Sequence, residues 1–172
     1  MKQSSAPSVR LRAIEPEDLD LLYRIENDVK LWNIGTTNVP YSRYTLHNYV
    51  ASASDDIYVD RQVRMMIENQ DGVAVGIVDL VNFDPSNCRA EVGLIILDAC
   101  RRQGYASSTL AHLADYALHV LHLHQLFAFI DIHNEASTAL FRKMGYRESA
   151  CIKDWLYDGN EYHDALMMQL VF

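Results

Sequence analysis

Apolar and polar positions along this chain switch between a period of two and a period near 3.6, which predicts strands interleaved with helices. Val9, Leu11 and Ala13 alternate with Arg10 and Arg12 over Val9–Ile14, the pattern of a half-buried strand. Pro16 stands where a helix would begin, with Glu15, Glu17 and Asp18 placed for its dipole. Leu19, Leu22, Tyr23 and Ile25 then make one apolar face, fading near Asn27-Asp28. Residues 33–44 read as a loop rich in turn formers and tyrosine. A short helix is expected over Thr45–Ala51 and a polar turn around Ser54–Asp56. Gln62–Glu68 and Val73–Phe83 are apolar runs joined by Asn69-Gln70-Asp71-Gly72, a hairpin signal. Asp84–Asn87, with Pro85, turns the chain into a third strand at Arg89–Leu97, so three adjacent antiparallel strands are expected.

Within Tyr105–Leu121, Ala106, Leu110, Leu113, Ala114, Ala117 and Leu121 recur at helical spacing. Leu126–Ile132 is apolar on both faces, as in a central strand packed on both sides. Ser137–Met144 reads as a short helix closed by Gly145. Ser149–Leu156 and Tyr162–Val171 read as final strands around the Asp158-Gly159-Asn160 turn. There is no repeat, low-complexity tract or linker. The pattern predicts one mixed α/β (α+β) domain over 9–172 behind a flexible tail over 1–8.

Composition narrows the class. A chain of 172 residues with 49% hydrophobic content can bury one normal core. Its formal net charge of −8, with no run of Lys or Arg, argues against nucleic acid and leaves cationic small molecules as partners. Cys88, Cys100 and Cys151 are odd in number and widely spaced, so neither a disulfide framework nor a structural zinc site is expected. The start MKQSSAPS has no apolar core of a signal peptide, and Val92–Leu97 and Leu126–Ile130 are too short to span a bilayer. A soluble cytoplasmic domain with no membrane partner is the expectation.

The segment Arg101-Arg-Gln-Gly-Tyr-Ala106 carries the most chemistry. It follows an apolar strand and opens a long amphipathic helix. A strand that turns through a glycine loop into a helix leaves backbone N–H groups free at the positive end of the helix dipole, where they can hold a phosphate or pyrophosphate. Gly104 lets a ligand approach the backbone because it has no Cβ. Two other features are set aside. His112, Asp115, His119 and His122 lie three or four apart on the polar side of the helix, where a solvated face accounts for them better than a metal. Cys151 has no His or Asp pattern to activate it as a nucleophile.

Taken in order, these segments resemble the GNAT family of N-acetyltransferases. Arg101-x-x-Gly104-x-Ala106 after a strand is similar to that family's acyl-CoA motif. Asn134-Glu-Ala-Ser137, followed by Leu140-Phe-Arg-Lys-Met-Gly145-Tyr146, resembles its second block. Val9–Leu19 is similar to its first strand and helix. The resemblance covers about the whole chain and implies a central, mostly antiparallel mixed sheet flanked by helices. Arg89-Ala-Glu91, Asn134-Glu135, Phe141-Arg-Lys143 and Tyr157-Asp-Gly-Asn-Glu-Tyr162 further resemble the bacterial spermidine N-acetyltransferases. Two departures stand out. The polyamine enzymes carry a tyrosine, the proposed general acid, where this chain has Phe141, and their acidic loop corresponds to Asn33–Tyr44, which holds no Asp or Glu.

The resemblance implies transfer of acetyl from acetyl-CoA to a primary amine. The preferred acceptor is a polyamine such as spermidine or spermine. The alternatives are a protein or peptide N-terminus, as in the ribosomal-protein enzymes, or a sensor that binds CoA or polyamine without turnover. An alkylamine of pKa near ~10.4 is about one part in ~10³ neutral at pH 7, a handicap of roughly 4–5 kcal/mol that a carboxylate base relieves. A thiol of pKa near ~8.5 leaves as thiolate without obligatory protonation. Glu91 is the expected base or water-organising residue, Asp79 a further contact for a cationic substrate, and Tyr157 (or Tyr162) a possible proton donor or pocket wall. Leu94, Ile95 and Ile96 would offer strand-edge groups to pantetheine. Arg101, Arg102, Gln103, Gly104, Tyr105, Ala106 and Ser107 would meet the pyrophosphate, with Asn134, Ser137 and Phe141 completing the cofactor set. No metal is expected, and the resemblance implies a homo-oligomer.

Overall fold

Strands form where alternating apolar side chains give the backbone two faces to bury. In the computed structural model, which describes residues 6–31, 39–54 and 56–172, the strands are β1 (Val9–Ala13), β2 (Val63–Asn69), β3 (Ala74–Asp84), β4 (Arg89–Ile96), β5 (Gln125–Asp131), β6 (Arg147–Tyr157) and β7 (Tyr162–Val171). They make one seven-stranded sheet ordered β1-β2-β3-β4-β5-β7-β6. Every neighbouring pair is antiparallel except β4 and β5. The helices are α1 (Leu19–Glu26), α2 (Arg43–Ser52), α3 (Ile57–Asp60), α4 (Tyr105–His119) and α5 (Glu135–Lys143). Residues 1–5 of the expected tail and 33–38 of the expected loop lie outside the described residues.

The expected elements are present, and they differ mainly at their ends. The chain at Pro16 forms a 3-10 turn, Pro16–Asp18, before α1 begins at Leu19. Ser42 caps α2 by accepting from the Thr45 amide at 3.0 Å, so that helix starts earlier than Thr45. The one-turn α3 is too short for periodicity to reveal; Asp56 caps it and Arg61 ends it in the left-handed region at φ 57°. Asn134 caps α5, which extends that helix back to Glu135.

Period-two alternation sends neighbouring side chains to opposite faces of the sheet. On one face Ile67, Val78, Leu80, Ala90, Val92, Leu126, Ala128, Ile130 and Met168 pack under Leu110, Leu113 and Ala117 of α4 and Phe141 of α5. On the other, Met66, Ile77 and Ile95 meet Leu21 and Ile25 of α1. Thus α1 covers only the β2–β4 side, leaving the Phe127 and Phe129 side of β5 outside that cluster. Gly76 fixes the central pairing of β3 with β4: a Cβ there would stand 2.2 Å from the Ile95 carbonyl oxygen. No helix among the described residues is long and apolar enough to cross a membrane.

Candidate active site

The one parallel contact in the sheet is also its shortest, and it builds the site. β4 and β5 pair only through Arg89–Glu91 and Gln125–Phe127. Beyond them β4 stays bonded to β3 up to Ile96, and β5 stays bonded to β7 up to Asp131. A wedge therefore opens with Glu91 and Phe127 at its apex. Along its β4 wall, Leu94 and Ile96 have no described strand paired on that side, as a β-augmenting ligand requires, whereas the Ile95 carbonyl faces Gly76 of β3.

At the mouth of the wedge the chain passes through a 3-10 turn, Asp98–Cys100, into the Arg101–Gly104 loop and α4. Arg102 (φ 61°) and Gly104 (φ 89°) are both left-handed, which folds the loop back over the helix start. Arg101 is drawn inward, donating from Nε to the Ile96 carbonyl at 3.2 Å and bridging Asp98 at 2.8 Å. Gln103 donates to the Ala99 carbonyl at 2.9 Å. The loop is thus tied to itself, while no side chain among the described residues caps α4. The first-turn amides of Tyr105, Ala106 and Ser107 lack the carbonyls that a preceding helical turn would supply. Free amides, the dipole and a Cβ-less residue together fit a pyrophosphate. Pro7, within the expected tail, reaches this loop: a Cβ on Gly104 would lie 2.9 Å from its Cδ.

At the apex, Glu91 is half-buried and accepts a 2.7 Å hydrogen bond from Asn82 Nδ2. Burial pushes its carboxyl above the ordinary value, and the Asn82 bond pulls part of the way back. Neither Arg89 nor Arg101 neutralises it. Arg89 bridges Asp84 at 3.2 Å and Arg101 bridges Asp98, so no cation pairs with Glu91 among the described residues. Phe127, Phe129 and Met167 line the cleft with Glu91, and Gln125 and Gln169 close it, bonded to each other at 2.6 Å. The Phe129 ring contacts Phe127 at 5.7 Å and Trp155 at 5.6 Å between centroids, extending the apolar wall. The result is a poised, unpaired carboxylate at the end of an apolar trough.

The other expected residues sit differently. Asp79 faces Gly93, two residues along β4 from Glu91, but its carboxylate is gripped by Arg64 at 2.7 and 3.0 Å. Arg64 also bonds Glu26, so Asp79 serves as a counter-ion rather than an open acceptor for a cation. Tyr157 is exposed beside Tyr162 at the β6–β7 turn, their centroids 4.9 Å apart. Tyr162 lies seven residues along β7 from Gln169, the partner of Phe127, about 24 Å of extended strand. The structure does not bring Tyr157 to Glu91 within one chain. Asn134 uses its side-chain oxygen to accept from the Ser137 amide at 3.0 Å, so both residues are engaged in capping α5. Phe141 is 4% exposed and packs edge-on against Tyr146 at 4.8 Å, as a core side chain. Cys151 is exposed and free, 3.9 Å from Asp164. His119 meets Asp115 only at 3.6 Å on an exposed helix face.

Sequence reasoning missed Asn82 and the aromatic wall. Asn82 reaches Glu91 from a bulge between Val81 and Asp84, where it adopts φ 50°. Asparagine tolerates that conformation better than most residues, so Asn82 ahead of Asp84-Pro85 was a readable signal. Phe127 and Phe129 share a face by strand alternation.

An antiparallel sheet opened at one parallel joint, with a helix N-terminus at the mouth and a carboxylate at the apex, has the shape and chemistry that an extended phosphate-bearing ligand beside an acid–base group requires. The sequence matches the family described as Acetyltransferase (GNAT) domain over residues 8–147. The chain belongs to the GNAT acetyltransferase family, whose acyl donor is acetyl-CoA. It is 27% identical to spermidine N(1)-acetyltransferase of Escherichia coli K12 over 164 residues, covering 95% of this chain and 86% of that one. It is 26% identical to a putative ribosomal N-acetyltransferase of Bacillus subtilis, covering 95% and 91%. The fold is similar to spermidine N-acetyltransferase from Vibrio cholerae, solved in complex with CoA and spermine, with a TM-score of 0.84, 21% identity and 95% of each chain covered.

Proposed function

We propose that this chain acetylates a primary amine of a polyamine, spermidine or spermine, by direct attack on acetyl-CoA in a ternary complex. One observation carries the reading: Glu91 is half-buried, bound by Asn82, free of any described cation, and placed where β4 and β5 part. The acyl donor would lie along the wedge, with its amide arm on Leu94 and Ile96 and its pyrophosphate on the amides of 101–107. When bound it supplies an activated acyl group. Glu91 takes the proton that keeps the amine cationic, directly or through a water, and its charge attracts the amine beforehand. Phe127, Phe129 and Met167 receive methylenes between the charged nitrogens and exclude water from the base. Phe141 has no proton to give, and a thiolate leaving group needs none, so catalysis rests on positioning and on Glu91.

The names of the Escherichia coli and Vibrio cholerae relatives support the polyamine class. A second reading, a protein or peptide N-terminus, is favoured by the trough itself. Its walls are apolar, and its other carboxylate, Asp84, is neutralised by Arg89. We place the enzyme in the cytoplasm as a homo-oligomer. Thiol release from acetyl-CoA, followed over a panel of polyamines, monoamines and N-terminal peptides, separates the readings. Turnover with spermidine and spermine but not peptides supports the first, and peptide turnover alone transfers the assignment to the second. CoA binding with no turnover on any amine leaves only a sensor.

A further inference from the structure

At the far end of β5 lies a cluster with no part in the chemistry above. The His163 side chain, at the start of β7, is 15% exposed, and both its ring nitrogens are closed to solvent. Nδ1 stands 2.9 Å from Asp131 Oδ2, and Nε2 stands 3.2 Å from Asp158 Oδ2 and 3.6 Å from Glu161 Oε1. At those distances hydrogen bonds are expected, yet neither ring nitrogen is well aligned with a described acceptor, although Asp158 still gains a hydrogen-bond contribution from His163. The oxygens stand near the ring but off its N–H directions.

That geometry has a different chemical meaning. Two ligands on one cation, each at about 2.1 Å, are separated by about 3.0 Å across an octahedral edge and about 3.4 Å across a tetrahedral one. Neither ligand points at the other, because both point at the ion. On the Nδ1 side a third ligand is at hand. The His133 ring meets His163 edge-on with centroids 5.3 Å apart. The ligating atoms of Asp131, His133 and His163 all lie within 4.8 Å of one another. Asp131 is also pre-set: its Oδ1 accepts from the His133 amide at 2.8 Å, leaving Oδ2 turned toward His163.

We propose that Asp131, His133 and His163 form a binding site for a borderline divalent transition metal such as zinc, cobalt or nickel. Two imidazoles and a carboxylate suit zinc, cobalt or nickel rather than magnesium or calcium, which favour all-oxygen sites. The ion joins the end of β5 to the start of β7, and so pins the β6–β7 hairpin to the strand that forms one wall of the wedge. This site is independent of acetyl transfer, which needs no metal, and stands or falls separately from the proposed acceptor.

Titration calorimetry of the full-length chain with zinc chloride tests it, with cobalt(II) absorption as a second readout of imidazole ligation. Cys88, Cys100 and Cys151 are replaced by serine beforehand so that thiols do not compete. One zinc per chain is expected, with a raised melting temperature. Even outer-shell partners of metal sites are worth about 10–100-fold in affinity, so losing a ligand in His133→Gln or Asp131→Asn should weaken zinc by more than about 100-fold. His133 is exposed, so its variant should fold, and its melting temperature without zinc checks that. Glu161→Gln should bind zinc as the parent does. Absence of zinc binding overturns the site. Loss of binding in Glu161→Gln with retention in His133→Gln also overturns it, because the ion would then sit on the Nε2 side of the ring.

Discussion

Replacing Glu91 by glutamine removes one charge from the apex of the wedge while keeping the side chain's shape and its ability to accept from Asn82. At pH 7 the acceptor amine is about one part in ~10³ neutral, a deficit of roughly 4–5 kcal/mol. A positioned base contributes about 10²–10⁴-fold, so kcat/KM for spermidine should fall by about 10²–10³-fold in Glu91→Gln at neutral pH. The deficit should shrink as pH rises toward the amine's pKa, where free amine no longer has to be made. Stability should move the other way. Burial raises the Glu91 carboxyl in the folded state. A carboxyl raised on folding adds stability when protonated, as pH falls through its folded pKa, and costs stability once ionised above it. Glutamine carries no such cost, so its melting temperature at pH 7 should equal or exceed that of the parent. Thiol release between about pH 6 and 10, with a thermal scan of each protein, makes both measurements. A rate ratio that is constant with pH, or a less stable variant, would refute Glu91 as a desolvated base.

Asn82→Gly should move the acidic limb of kcat/KM to higher pH, because the bond that draws the Glu91 carboxyl down is gone. Glycine accepts φ 50° at that position, so the fold should be unaffected, and a limb that stays in place separates Asn82 from the mechanism. Gly104→Val should weaken CoA binding at least tenfold by equilibrium dialysis, since its Cβ would meet Pro7 in a left-handed backbone; undiminished affinity would remove this loop from the pyrophosphate site. Gly76→Ala should lower urea-unfolding stability by about 1–3 kcal/mol or more, because its Cβ would stand 2.2 Å from the Ile95 carbonyl oxygen. An unchanged midpoint would mean that β3 and β4 can slide apart freely.

Much of this was legible in the chain, for stated physical reasons. The strand at Arg89–Leu97, the loop at Gly104 and the helix after it each carry a local signature, and together they anticipated the wedge mouth. Glu91 stands out as a charged residue opening an apolar strand, but pairing with Arg89 or Arg101 accounts for it equally in sequence, and only the fold shows those arginines bridged to Asp84 and Asp98. What stayed hidden depends on register. Asp79 reads as an open carboxylate until the β2–β3 hairpin sets Arg64 directly opposite it. Asn82 acts on Glu91 only because a bulge turns it back. Asn134 has the same sequence whether it binds a ligand or caps a helix, and its bond to the Ser137 amide places it at the cap. Tyr157 neighbours Glu91 in no local pattern, and its distance follows from the length of β7 beyond Gln169.

The most direct test of the account is whether spermidine incubated with acetyl-CoA and this protein becomes N-acetylspermidine, read by mass spectrometry against the Glu91→Gln variant. The account predicts acetylated polyamine from the parent at neutral pH and a small fraction of that from the variant. Acetyl-CoA binding with no acetylated polyamine, or equal product from both proteins, would contradict it.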